Sequence, residues 1–199
     1  MGAPYLRPPP SLRLSRSFFS FPSPFSQSPP PAYHEKKYLP FSPRQLYAVV
    51  SDVESYPSFV PFCVGCRKIT QPKVVGDKGR VEVDAKMTVG FMALKESYVS
   101  HVTCVPYELV QAKASSSTPL FKSLTTTWKF EPVLNKTAGA SAAAPEDAPS
   151  TLVSLELAYE FSNPLHAQIS GAFFGQVSKS MAQAFEDRCR ALYGSGGRR

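Results

Sequence analysis

The residues of this chain with the most chemistry to offer are a close cysteine pair, Cys63-Val64-Gly65-Cys66, and three histidines, His34, His101 and His166. A C-x-x-C pair becomes a zinc site when two more ligands complete a tetrahedron. No second C-x-x-C and no H-x-x-x-H follows, so no metal is expected; a redox pair or ordinary reduced thiols in the turn leading a strand remain. With Cys104 and Cys189 the count reaches four, too few and too scattered for a disulfide framework in 199 residues. A histidine acts as a base when a partner orients it. None of the three stands at hydrolase or metal spacing, and no G-x-S-x-G, Walker or dinucleotide-binding glycine pattern occurs, so no catalytic residue is assigned. Lys95 and Glu96 follow an apolar turn, either as a solvated pair or at the mouth of a pocket.

Apolar chemistry is better represented. The turn Gly90-Phe91-Met92-Ala93-Leu94 carries three large apolar residues where Asn, Gly or Asp would be usual. It reads either as a lid over a cavity that also touches a bilayer, with Phe91, Met92 and Leu94 as the contact, or as a merely buried loop. The expected lining comes from Val60 and Phe62, then Val89, Phe91, Leu94 and Tyr98, then Thr126, Trp128 and Phe130. Tyr159 and Phe161 continue it, and Phe173, Phe174, Val177 and Met181 close it. Only Tyr98, Thr126 and Tyr159 offer polar handles, a lining that suits a lipid. Gly171 and Gly175, each costing about 1 kcal/mol against Ala inside a helix, admit either a ligand or the close approach of a strand.

These residues need elements to hold them. Residues Pro164–Tyr193 read as one helix, entered through Asn163 and Pro164 and left through Gly194. Leu165, Ile169, Phe173, Val177, Met181, Phe185 and Leu192 mark its apolar stripe. Thirty residues make it about 45 Å long, too long to stand without a partner surface. Ser42-Pro43-Arg44-Gln45 opens a short helix as a capping box, and at Tyr56–Phe62 the chain restarts in another direction, with Pro57 and Pro61 preventing one long helix. Strands are expected at Tyr33–Phe41, Arg67–Val75, Arg80–Val89, Lys95–Val105, Glu108–Ala114, Lys122–Pro132 and Leu152–Phe161, several with strict alternation. Val153, Leu155, Leu157, Tyr159 and Phe161 face inward there, with Ser154, Glu156 and Glu160 outward. The fold class is therefore α+β: a curved antiparallel sheet of about six or seven strands wrapped around a long C-terminal helix, with two short helices after the first strand.

Charge separates a leader from the domain. Of 22 basic residues, Arg7, Arg13 and Arg16 lie in the first 32, whereas none of the 15 acidic residues precedes Glu35. That basic, Ser/Pro-rich, acid-free start reads as a mitochondrial transit peptide over residues 1–32. The folded domain is expected over 33–194, with a flexible Ala/Pro insertion at 135–150 and a tail at 195–199. The charges of the domain alternate in sign without interleaved exposed aromatics, so nucleic acid is not an expected partner. No stretch reaches the roughly 18 apolar residues of a membrane span.

Several segments in order carry a resemblance: PFSPRQLYAVVSDVESYPSFVPFC, TVGFMALKESYVSHVT, PLFKSLTTTWKF and NPLHAQISGAFFGQVSKSMAQAFEDRCRALYG. Together, from about Tyr38 to Gly194, they resemble the coenzyme Q-binding START-like family. Departures are Phe62, where the family usually has Trp, and the longer insertion. The resemblance implies the helix-grip, START-like fold and a protein, not an enzyme, that holds ubiquinone or a late biosynthetic intermediate as bound ligand, with no catalytic cofactor. It implies a carrier or chaperone for respiratory electron transport and quinone synthesis, peripheral on the matrix side of the mitochondrial inner membrane. Implied partners are ubiquinone or a related polyprenyl quinone, inner-membrane lipids and quinone-synthesis or respiratory complexes, with homo-oligomer formation left open. The alternative is a cyclase- or aromatase-like enzyme on a quinone precursor, using Tyr98, Glu96 or His101.

Overall fold

A computed structural model describes residues 32–76, 78–91, 94–115, 121–134, 144–162 and 164–194, with backbone alone for Phe91, Leu94, Phe161 and 164–174. The order is β1 (Ala32–Leu39), α1 (Pro43–Ser51), a 3₁₀ turn (Val53–Ser58), β2 (Cys63–Lys68), β3 (Lys73–Val75), β4 (Arg80–Phe91), β5 (Leu94–Val105), β6 (Leu109–Ala114), β7 (Phe121–Pro132), a short 3₁₀ turn (Pro145–Asp147), β8 (Thr151–Phe161) and α2 (Pro164–Tyr193). The capping box forms as expected: Gln45 N–H donates to Ser42 Oγ at 3.3 Å, and Ser42 N–H to Gln45 Oε1 at 2.9 Å. Gly194 ends α2 at φ 81, its N–H donating to Arg190 O at 2.8 Å.

All strands join one antiparallel sheet in the order β1-β8-β7-β6-β5-β4-β2, with β3 on β4 beside β2. Eight strands replace the expected six or seven because the strand expected at Arg67–Val75 is two. β2 starts earlier, at Cys63, and Ile69 to Pro72 break the run before β3. Proline there has no N–H to give the ladder. Ser154, expected outside, is 3% exposed. Its register partners are Lys36 and Lys129, whose long side chains share its face, and stems of that length cover small neighbours.

The sheet curls around α2, and its main core lies under the C-terminal half of that helix. Phe185 meets Trp128 at 4.9 Å, Phe59 at 5.1 Å and Tyr56 at 5.2 Å between ring centroids. Leu46, Val49, Val50 and Val53 pack into the same cluster. The stripe is rotated from the expected one. Leu192 is 50% exposed, and Ser178 and Cys189 are buried instead. The last turns therefore present their 189 side, not 192, to the cluster around Phe185. Within the expected insertion, Ala144–Ser150 docks on α1: Arg44 Nε donates to Asp147 Oδ1 at 2.7 Å and its Nη1 to Tyr107 Oη at 2.9 Å. That hydrogen bond holds the Asp147 carboxyl below the usual carboxylate range. Residues 1–31 of the expected leader, residues 135–143 and the tail lie outside the described residues, and Ala32, expected in the leader, opens β1.

Candidate functional site

Register decides what faces α2. Val81, Val83, Ala85, Met87 and Val89 of β4 stand opposite Cys104, Val102, Ser100, Tyr98 and Glu96 of β5. Ser100, Val102 and Cys104 stand opposite Ala114, Ala112 and Val110 of β6, and Ala112 and Val110 opposite Thr126 and Trp128 of β7. Strand alternation places this whole set on the concave face. Where α2 presents Phe185 and Cys189, the face is closed by packing. Toward Phe121 and Phe161, the end from which α2 sets out, a separate small cluster forms: Tyr98, Ala114 and Phe121, with Met87, Val89 and Leu124 against it. Met87, Val89, Ala112, Leu124 and Thr126 point inward yet are only half-buried. An inward residue that stays partly accessible marks a surface the fold has not filled. The result is a largely apolar, partly open trough on the concave face toward the end from which α2 sets out, with Tyr98, Thr126 and the inward Glu96 as its polar groups. Tyr98 lies edge-on to Phe121 at 5.8 Å, and burial pushes its phenol well above the usual tyrosine range. The phenol therefore keeps its proton and can donate to a ligand carbonyl.

The expected lining divides. Val89, Tyr98 and Thr126 belong to the trough. Phe130 sits in the packed core with Val60, and Met181 packs against it; Trp128 belongs to the same core but also reaches the wall of a small cavity between the sheet and α2. Phe62 is 37% exposed, not inside. Tyr159 is buried opposite Leu124, and Val177 is half-buried on the helix. The side chains of Phe91, Leu94, Phe161, Phe173 and Phe174, and all of Met92, lie outside the described residues. Gly175 is exposed, and a Cβ there would meet nothing within 4 Å, so no strand requires that glycine. Met87, Ala112, Leu124 and Phe121 were missed. Their signal was the alternation of the strands, but only register shows which alternating positions share one end.

The cysteine pair lies within β2, not in a turn before it. Residues three apart on a regular strand face opposite ways. Here the register shifts between Cys63 and Gly65, so that Cys63 pairs with Val89 and Cys66 with Met87, and both thiols turn to the concave side. Burial pushes the Cys66 thiol up to about 12, with Cys63 adding to the effect, and raises Cys63 and Cys104 as well. All four cysteines are free. Because the thiolate is the nucleophile, iodoacetamide at mildly alkaline pH should modify Cys66 about two to three orders of magnitude more slowly in the native protein than in urea. Peptide mapping of the two time courses checks this, and similar rates would mean that the thiol is open to solvent.

The catalytic alternatives lose one member. His101 pairs with Asp84 across the β4–β5 ladder, on the convex face, and its Nδ1 lies 2.8 Å from Asp84 Oδ1. It cannot serve the trough. Glu96 does face inward, half-buried, while Lys95 is exposed. A second cavity of about 140 Å³ opens between β1, β7–β8 and α2. Buried Glu186 lies on its wall, bound by Lys37 and Arg190, and Glu35, Lys179 and Gln183 share it. Leu39, Trp128, Val153, Leu155 and Ala182 make up the rest of its wall, and it is small beside ligand pockets, which usually run to roughly 300–1,000 Å³. Among the described residues no group of His, Cys, Asp and Glu could hold a metal, and no helix is long and apolar enough to cross a membrane.

Comparison with known proteins places this geometry. The sequence profile described as polyketide cyclase / dehydrase and lipid transport matches residues 39–186. Coenzyme Q-binding protein COQ10 homolog B, mitochondrial, of Xenopus laevis is 33% identical over 180 residues, covering 90% of this chain and 66% of that protein. Coenzyme Q-binding protein COQ10, mitochondrial, of Dictyostelium discoideum is 33% identical over 159 residues, 80% of this chain and 69% of that one. The chain thus spans about two thirds of the length of these curated relatives. In fold alone it matches a START superfamily protein from Mycobacterium smegmatis (19% identity, TM-score 0.58, 81% of this chain and 98% of that one). It likewise matches the ZhuI aromatase/cyclase of Streptomyces sp. R1128 (12% identity, TM-score 0.62, 84% and 99%). A trough-bearing helix-grip sheet, a profile match over most of the domain and a third of residues shared with these relatives lead to one statement: this chain belongs to the polyketide cyclase / dehydrase and lipid transport family, among the coenzyme Q-binding COQ10 proteins.

Proposed function

We propose that this protein binds ubiquinone or a late biosynthetic intermediate in the trough toward the end from which α2 sets out and carries it without transforming it. The observation that supports the reading is the half-buried inward set Met87, Val89, Ala112, Leu124 and Thr126 beside a buried, protonated Tyr98, in a chain whose relatives are named coenzyme Q-binding. The head group accepts a hydrogen bond from Tyr98, with Thr126 as a second handle. The isoprenoid tail runs along α2 past Phe161, Phe173, Phe174 and Val177 and leaves beside Phe91, Met92 and Leu94, the lid and membrane contact. Residues 1–32 serve as a mitochondrial import leader, in keeping with relatives named mitochondrial. The working place is the matrix side of the inner membrane, where the protein supports respiratory electron transport and quinone synthesis, alone or beside the complexes that use quinone.

An enzymatic reading draws less support. The cyclase likeness is one of fold, and His101 faces away from the trough. Solvent extraction of the purified protein followed by mass spectrometry tests the proposal. A polyprenyl quinone near one per chain is the expected result; a phospholipid or nothing in repeated preparations would overturn it. Turnover of a quinone precursor that disappears with Glu96→Gln would replace the carrier with an enzyme.

A further inference from the structure

Nine large hydrophobic residues are exposed on the described surface, and five of them fall within one short stretch on one sheet edge: Phe62, Val64, Ile69, Val74 and Val75. β2 and β3 lie end to end along β4, β2 against Ala85–Val89 and β3 against Arg80–Glu82, so these side chains follow a single border. The opposite border, β1, is built differently: His34, Glu35, Lys36 and Lys37 alternate along it, and Tyr38 is its one exposed large hydrophobic among the described residues. The apolar border is also basic. No acidic residue occurs between Ser55 and Gly76, while Arg67, Lys68 and Lys73 do. Lys68 is paired with Glu54 at 3.4 Å, whereas Arg67 and Lys73 form no ion pair among the described residues. Phe62 adds a conformational observation. It stands at φ 63, a region that disfavours any residue but glycine, and it does so with its ring 37% exposed.

The chemistry of the border selects its occupant. A further β-strand would need a continuous register, but the bulge between Cys63 and Gly65 and the break at Pro72 interrupt it, and lysines guard it. A second copy would bring Arg67 and Lys73 close to their own images. A bilayer surface needs no register: it accepts an aromatic and several valines at the head-group level and rewards cations when its lipids are anionic. We propose that the β2–β3 border, led by Phe62 and Val64, is the face with which this protein rests on an anionic membrane. The border also reaches the trough's mouth. Gly90 N–H donates to Phe62 O at 2.9 Å, and a Cβ at Gly90 would stand 3.0 Å from Val64 Cγ1, so the start of the β4–β5 hairpin tip and the border are held together. The inference deepens the carrier reading by naming the surface through which an oily ligand would pass.

The test is flotation of the full chain with phosphatidylcholine vesicles, with and without a third of the lipid replaced by phosphatidylglycerol. Binding is expected to the anionic vesicles and to weaken as salt rises. Arg67→Gln with Lys73→Gln should lower the partition coefficient roughly thirtyfold while leaving quinone content unchanged. Phe62→Gly with Val64→Ser should lower it by about tenfold or more, with circular dichroism showing that the fold is kept. Unchanged vesicle binding in both variants overturns the proposal. So does a loss confined to Phe91→Asp and Met92→Asp, which would leave docking to the hairpin tip. A concentration-dependent dimer in sedimentation velocity that Val74→Lys abolishes would assign the border to a second copy instead. Extraction keeps the two readings apart: an empty protein that binds vesicles sinks the quinone assignment alone, and a quinone-loaded protein that ignores them sinks only the membrane face.

Discussion

Phe185→Ala is expected to cost about 3–5 kcal/mol of folding stability. The ring is 4% exposed and touches three others, those of Trp128, Phe59 and Tyr56, edge-on or tilted at 4.9 to 5.2 Å. Those three come from β7 and from the turn after α1, so the single side chain on α2 ties helix, sheet and short helices together. Removing it loses apolar burial and leaves a void that four rigid elements cannot collapse into. Leu192→Ala, on the same helix but half exposed, should change stability by no more than about 0.5 kcal/mol. Urea denaturation of the two variants checks the contrast, and equal losses would mean that the helix is held along its whole length and not at its C-terminal half.

The second large effect concerns the ligand. Ala112 faces inward from β6 between Val102 and Thr126, yet it is only half-buried, while Val110 beside it on the same strand is 3% exposed. Ala112 packs against the rim of the main core, so Ala112→Phe is expected to extend its ring from that rim into the volume a head group would take. Bound quinone is expected to fall by about tenfold or more, since even one methylene of misfit in an apolar pocket can cost that much. The melting temperature should stay level or rise. A filled site would answer differently: overpacking costs about 1–3 kcal/mol, and the variant would lose stability with its ligand unaffected. The pair of readouts thus decides between a trough and a closed core. Tyr98→Phe, which keeps the ring on Phe121 and removes only the phenol, separates head-group recognition from shape.

The division between these two regions explains what could be read in advance. Most elements of the domain were legible in the chain, the split of β2 from β3 and the 3₁₀ turn at Pro145–Asp147 excepted. The capping box at Ser42 and Gln45, the strict alternation from Arg80 to Val89, and the Pro164 and Gly194 ends of α2 are local signals set by backbone geometry. The leader's charge asymmetry is likewise a property of composition, and the ordered segments carried the family. Local pattern also showed that Trp128, Phe130, Val60 and Tyr98 turn inward, but it treated all inward residues alike. Tertiary structure divided them: Trp128 and Phe130 are packed in the main core with Phe185, whereas Tyr98, Val89 and Leu124 gather at the Phe121 end, with Met87 touching both clusters. Nothing within a strand tells which stretch of it a helix will cover, because that depends on where α2 starts and how the sheet curls. Two further features escaped for the same reason. A shift of one residue in β2 brought Cys63 and Cys66 to one face, and the border that collects Phe62, Val64, Val74 and Val75 exists only once β2 and β3 lie end to end on β4. Side-chain periodicity and end signals are written residue by residue, while coverage, register and edges arise between segments distant in the chain, and those were settled only by folding.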